Sequence, residues 1–138
     1  MKDEELKPLV YPEWAMQLGQ FTGTEGYHRL LVNAVLTDGM KFLCEKAGCF
    51  WLATDVTLLG LDRTGELNDG FCVVRVQASP EARGQHCVDI SIGDGNGEFK
   101  PVNTLVMTDF PPGLLPFEFF VQWAPDVHAW VFMLKSEY

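Results

Sequence analysis

The sequence predicts an α+β fold, with an antiparallel sheet of five or six strands and two or three helices packed on one face. Three observations predict it. Apolar residues recur at helical spacing in much of the first 60 positions and switch to a period of two from residue 71. Clusters of Gly, Pro, Asn and Asp punctuate the second half at hairpin intervals. The 138 residues are 47% hydrophobic, with ten Phe and four Trp, which is enough for one sizeable core without disulfide staples.

Residues 1–10 are polar and of mixed charge and read as a flexible leader, leaving 11–138 as a single domain. The leader has no apolar stretch of the kind a secretion signal needs. Pro12 suits the first turn of a short helix reaching Phe21, with Trp14, Leu18 and Phe21 on one stripe. Gly19, Gly23 and Gly26 break it. Tyr27 to Leu36 reads as one strand with Leu30, Val32, Ala34 and Leu36 on one face. Thr37-Asp38-Gly39 ends that strand and caps a helix carrying Met40, Leu43, Cys44 and Ala47, which Gly48 stops.

Residues 50–59 fit either period, but few of them are β-branched, so a helix is predicted. Cys72, Val74, Val76 and Ala78 then share one strand face, with Arg75 and Gln77 on the other. Val88, Ile90 and Ile92 alternate with Cys87, Asp89 and Ser91. Asp94-Gly95-Asn96-Gly97 is a hairpin signal, since these residues tolerate positive φ. Strands at about 98–108, 117–123 and 127–134 complete a meander, separated by Pro111-Pro112 and Ala124-Pro125-Asp126. Val127 to Leu134 is apolar at nearly every position, which predicts a strand covered on both faces.

Charge narrows the partners. Nineteen acidic residues against ten basic ones give a formal charge of −9. That balance opposes direct nucleic-acid binding, which relies on Lys and Arg displacing counterions. It suits a basic partner, including a protein that itself grips nucleic acid. The longest apolar stretch is too short for a membrane span. Four cysteines without a secretion signal read as reduced thiols in a cytoplasmic protein.

Candidate chemistry is sparse. Cys44, Cys49 and His86-Cys87 lack the paired spacing of a zinc site, and Cys44 and Cys72 fall on core faces. Cys87 is the best-placed thiol for nucleophilic chemistry, but His86 projects to the opposite side of a strand. Asp38 and Asp109 each follow a threonine at a strand end. Convergent, they could do acid–base work or hold a hard cation; apart, they cap a helix and organise a turn. A calcium loop starting at Asp94 would need glycine where Phe99 stands. His28 and His128 have no evident partner, and no phosphate loop, nucleophile elbow or zinc-protease motif occurs. Neither a metal nor a cofactor is implied. Trp123 and Trp130 flank the last turn as an aromatic anchor or as core. Ser136-Glu137-Tyr138 reads as a recognition tail or as a segment docked on the sheet.

Phe21-Thr22-Gly23-Thr24, Thr37-Asp38-Gly39, Phe50-Trp51-Leu52, Thr108-Asp109-Phe110-Pro111 and Ser136-Glu137-Tyr138 occur in an order and spacing that carry a resemblance. Together they resemble a family of small bacterial proteins known only as a domain of unknown function, common on phages, plasmids and other mobile elements. The likeness spans about residues 14–138. Lys135 departs from it, standing where a proline precedes the final Ser-Glu-Tyr. The resemblance implies a single unit in a mobile-element setting and transfers no catalytic residue.

Three functions follow as expectations. The first is a non-enzymatic acidic protein that occupies another protein, such as a host defence nuclease, with Asp38, Asp109, Trp123 and Trp130 as candidate binding residues. The second is a binder of a small ligand such as a nucleotide signal, with Arg29 or Arg75 meeting its phosphate. The third is a hydrolase-like enzyme built on Asp38, Asp109 or a histidine. Self-association stays open beside all three.

Overall fold

The computed structural model describes residues 12–61, 70–81, 86–94 and 97–138. The predicted leader, and Gly95 and Asn96 at the predicted hairpin tip, lie outside them. Seven strands join one sheet: β1 (Tyr27–Leu31), β2 (Ala34–Thr37), β3 (Phe71–Ala78), β4 (Cys87–Gly93), β5 (Phe99–Met107), β6 (Phe117–Ala124) and β7 (Ala129–Met133). Their order is β1-β2-β7-β6-β3-β4-β5, antiparallel throughout except that β2 and β7 are parallel. A 3₁₀ helix (Glu13–Gln20) and two α-helices, α1 (Asp38–Ala47) and α2 (Phe50–Gly60), pack on one face.

The α+β class is as the sequence predicts; the strand count and path differ. Tyr27 to Leu36 is a hairpin, not one strand, with its turn at Val32 and Asn33. The Asn33 carbonyl accepts from the Trp130 N–H at 2.8 Å, which ties this turn to β7. Nor do the later strands form a meander. β3, β4 and β5 do, but β6 returns to the other side of β3. β3 thus lies inside the sheet between β6 and β4, and Cys72, Val73 and Val74 along it are all buried. The last strand starts at Ala129, because Pro125 to His128 turn the chain and His128 takes φ 54°.

Helix α1 forms where the caps place it. The Thr37 hydroxyl accepts from the Met40 N–H at 3.3 Å, and Gly48 closes the helix at φ 63°, a backbone conformation costly for other residues. Met40, Leu43 and Cys44 are buried, as their spacing predicts. Helix α2 is helical, as the shortage of β-branched residues predicts, and buries Leu52, Ala53, Val56 and Thr57. Alternate residues of the sheet meet these helices: Cys72, Val74, Val76, Val88, Ile90, Phe119, Val121, Trp130 and Phe132. Each such large side chain contributes about 1.5–3 kcal/mol on burial. The opposite face of the sheet carries no α-helix among the described residues; Arg75 stands on it, and the short 3₁₀ turn Lys135–Glu137 lies at its edge.

Candidate functional site

Strand direction creates two distinct ends. β2, β7, β3 and β5 run one way and β1, β6 and β4 the other, so β2 and β7 finish at the same rim. Three of the sequence landmarks meet there. Thr24 Oγ1 donates to the Gly26 carbonyl at 2.6 Å and accepts from the Asp38 N–H at 2.8 Å. The Asp38 carboxylate accepts from the Glu25 N–H at 3.0 Å and lies 2.8 Å from His28 Nε2. The Glu137 carboxylate accepts from the Thr37 hydroxyl at 2.5 Å, the Gly39 N–H at 2.9 Å and the Leu134 N–H at 3.0 Å. Glu137 therefore fills the anion position at the start of α1 with the chain's own charge.

Glycine at position 39 leaves room for the Glu137 carboxylate. A Cβ at that position would lie 2.6 Å from Glu137 Oε1 and 2.7 Å from Leu134 Cδ1. The cap itself is Thr37, which corrects the assignment of that role to Asp38. Asp38 stands one residue inside the helix and reaches back to His28 and Glu25. Those bonds hold its carboxyl below the usual carboxylate range, His28 contributing most.

On the face away from the helices, β3 and β6 pair Arg75 with Glu118 and Val73 with Phe120. Arg75 Nε donates to Glu118 Oε2 at 2.8 Å, and Lys135 Nζ to Glu118 Oε1 at 2.5 Å. The two cations hold the Glu118 carboxyl below its ordinary range, Lys135 first. The Arg75 guanidinium stacks 3.9 Å from the Phe99 ring centre, and Lys135 Nζ lies 5.7 Å from that of Phe120. Phe71, Phe120 and Tyr138 form a ring cluster beside them, at 5.2–5.5 Å between centres. The tail thus docks on the sheet, with Tyr138 still 71% exposed. Phe71, Val73, Arg75, Phe99, Glu118, Phe120 and Lys135 line a groove of about 380 Å³.

The other end of the sheet is apolar. Val32 is 89% exposed, Leu58 69% and Val127 51%. Val32, Asn33, Thr57, Leu58, Leu61 and His128 line one groove of about 510 Å³. Asp126, next to Val127, lines an adjacent depression on the sheet face. Asp94 and Glu98 line a third, beside Leu59.

The model of a single protein family matches residues 13–138 of this chain. The chain belongs to that family, DUF6876, a family of unknown function. No curated protein and no solved structure matches it. The match reaches from the 3₁₀ helix to the docked tail, so the whole described sheet is the family's fold.

The remaining predicted residues scatter. Asp109 is exposed in the turn after β5, where Phe110 N–H bonds to Thr108 Oγ1 at 3.1 Å. Five inter-strand steps, each roughly 4.8 Å in a regular sheet, separate its strand from that of Asp38. The structure does bring Trp123 and Trp130 together, ring centres 5.2 Å apart, with His128 on the other side of Trp123 at 5.0 Å. Trp130 is fully buried and only Trp123 reaches the surface.

All four cysteines are free and buried. Burial pushes the Cys72 thiol up to about 12, and a hydrogen bond with Cys49 raises Cys44. Such thiols hold little thiolate at neutral pH. Cys87, placed on the outward face by its alternation, is buried at 5% exposure, while His86 Nε2 is engaged by the Phe110 carbonyl. Among the described residues no group of three or more His, Cys, Asp or Glu side chains is placed to hold a metal ion. No helix among them is long and apolar enough to cross a membrane.

Sequence reasoning missed the Arg75 groove and the apolar end. Arg75 was legible as an outward residue, but Phe99, Glu118 and Lys135 come from three other segments. Val32 continued the apolar alternation of a strand and gave no sign of standing in solvent.

Proposed function

We propose that this protein is a non-enzymatic binding protein that docks on another protein through the apolar end of its sheet. The observation that carries the reading is the pairing of Val32 and Leu58, both mainly exposed, in one groove. Large apolar side chains grouped at one exposed spot, held there by a hairpin turn and a helix end, mark a surface suited to being covered by a partner. Protein interfaces use such residues as a desolvated centre within a polar rim.

Charge supports a basic partner. Asp126 shares its depression with Arg29, Asp94 and Glu98 share theirs with Lys100, and the chain as a whole carries −9, so the surplus of acid is a property of the whole molecule. Acidic residues around an apolar centre speed encounter with a basic surface and reject acidic ones. In the mobile-element setting that the resemblance implies, the partner would be a cytoplasmic host protein, such as a nuclease whose nucleic-acid surface is basic.

A pull-down with purified chain against bacterial lysate tests this, run beside the Val32→Glu/Leu58→Glu double variant. Supported, the reading yields one stoichiometric basic partner that the wild type retains and the double variant loses, with retention weakening as salt rises. No partner at low or moderate salt sinks it. So does equal retention by the variant, or a concentration-dependent homodimer in analytical ultracentrifugation that the variant abolishes.

A further inference from the structure

We infer that the sheet face turned away from the helices carries a separate site for a mononucleotide, with Arg75 and Lys135 meeting the phosphate and the neighbouring rings stacking the base. This site shares no residue with the groove of Val32 and Leu58, so the two readings stand or fall separately.

Charge is the first argument. Arg75 and Lys135 converge on a single carboxylate, Glu118, leaving a local formal charge of +1 on a molecule of −9. On a protein so acidic, a paired cation cluster on an open face marks a place that attracts an anion. Glu118 anchors each cation from one side only. Arg75 gives it Nε alone, and among the described residues its two terminal nitrogens have no protein partner. A guanidinium fixed by stacking and by one hydrogen bond is held in place, and its planar fork of donors matches a phosphate.

The second argument is shape. Phe71, Phe99 and Phe120 line the same groove as the two cations, whose volume of about 380 Å³ falls within the range of small-molecule sites. Phe71 and Phe120 are half-buried, and Tyr138, which packs against both at 5.5 and 5.2 Å, is itself 71% exposed and offers a ring to the solvent. Aromatic side chains on an open antiparallel sheet are a recurring platform for stacked bases. A polynucleotide is a poorer occupant, because each further phosphate would meet the field of the remaining acidic surface. Arg29 is the other strand-borne arginine on this side, but its Nη1 is committed to the carbonyls of Leu31 and Val32.

Isothermal titration of the purified chain with AMP, GMP, CMP and UMP tests the site, with adenosine, ribose phosphate and inorganic phosphate as partial ligands. At least one nucleotide is expected to bind at least about tenfold more tightly than its nucleoside and than phosphate. Arg75→Ala and Lys135→Ala should each weaken that nucleotide by about tenfold or more, with Arg75→Lys in between. Arg29→Ala and the Val32→Glu/Leu58→Glu variant should leave it unchanged. Using two cation variants guards against one of them misfolding, and circular dichroism identifies it. The site is overturned if none of the four binds at millimolar concentration or if the nucleoside binds equally well. Wild-type affinity in both cation variants overturns it too, as does a single-stranded oligonucleotide that binds more tightly with steep salt dependence.

Discussion

Where β2 and β7 finish, Thr24, Thr37, Asp38 and Glu137 are all hydrogen-bonded within the chain, whereas at the opposite end Val32, Leu58 and Val127 stand largely in solvent. Three of the motifs that make the sequence recognisable meet at the first end, with Thr108-Asp109 further along the same rim after β5; Val32, Leu58 and Val127 belong to none of them. The difference separates two reasons for a residue to stand out. Thr37-Asp38-Gly39 and Ser136-Glu137-Tyr138 are conspicuous because one carboxylate, one hydroxyl and one bare backbone position must fit together across 98–100 residues of chain. Their polar groups are already satisfied by one another, which leaves little for a ligand to gain there. The apolar end is the reverse, inconspicuous in sequence and unsatisfied in structure.

If that contrast is right, the sharpest blow to the fold comes from the smallest change at the motif end. Gly39→Ala places a methyl against the Glu137 carboxylate and Leu134 Cδ1, so the carboxylate must leave its three donors and a buried leucine must shift. A loss of about 2–3 kcal/mol in urea unfolding is expected. Glu137→Ala alone removes the acceptor without the clash and should cost about 1–2 kcal/mol. The double variant should cost less than the two losses combined, because the alanine at 39 no longer displaces a carboxylate. Simple additivity would show that the two motifs do not form one unit.

How far the sequence disclosed this depends on the distance over which each signal acts. Helix α1 was legible end to end, since its cap, its apolar spacing and its stop lie within twelve residues, Thr37 to Gly48. The alternation in β3 and β4 was equally local. The β2–β7 pairing was not, because two short apolar segments about 95 positions apart carry no mark of being parallel neighbours. The hairpin at Val32 escaped for a different reason: an exposed valine preserves the same period as a buried one, and only Asn33 hints at a turn. Of the candidate site residues, Asp38 was found with the wrong task. The Arg75 groove was not legible at all beyond its first residue, because its charge and its rings are assembled from four segments.

A smaller effect, read by pH, belongs to the charged sites and not to the apolar end. Asp38 at the rim and Glu118 beside the groove both have carboxyls held below the ordinary range in the folded state, by His28 and by Lys135 respectively. A depressed carboxylate binds its proton more readily in the unfolded chain. Its contribution is therefore complete above the ordinary carboxylate pKa of about 4 and fades as pH falls through the folded value. Urea midpoints measured downward from neutrality should fall on the acid side for the wild type and less steeply for Asp38→Asn, the two curves converging in acid. Parallel curves would mean that the His28 contact contributes nothing to the folded state.

The smallest effect on stability is expected at the apolar end, and it carries the most weight for function. Val32→Ser and Leu58→Ser remove side chains that are mostly in water already, so each should shift unfolding by no more than about 0.5 kcal/mol. A surface on which large apolar groups can be deleted almost without cost is not being maintained for the fold. The prediction is specific to these two positions, since Thr57, next to Leu58, is buried with its hydroxyl on the Ala53 carbonyl at 2.8 Å, and Thr57→Ala should cost more than either. If Val32→Ser instead costs as much as Glu137→Ala, the valine is working inside the molecule. The end that looks open would then be part of the core, and the case for a docked partner would lose the residue on which it stands.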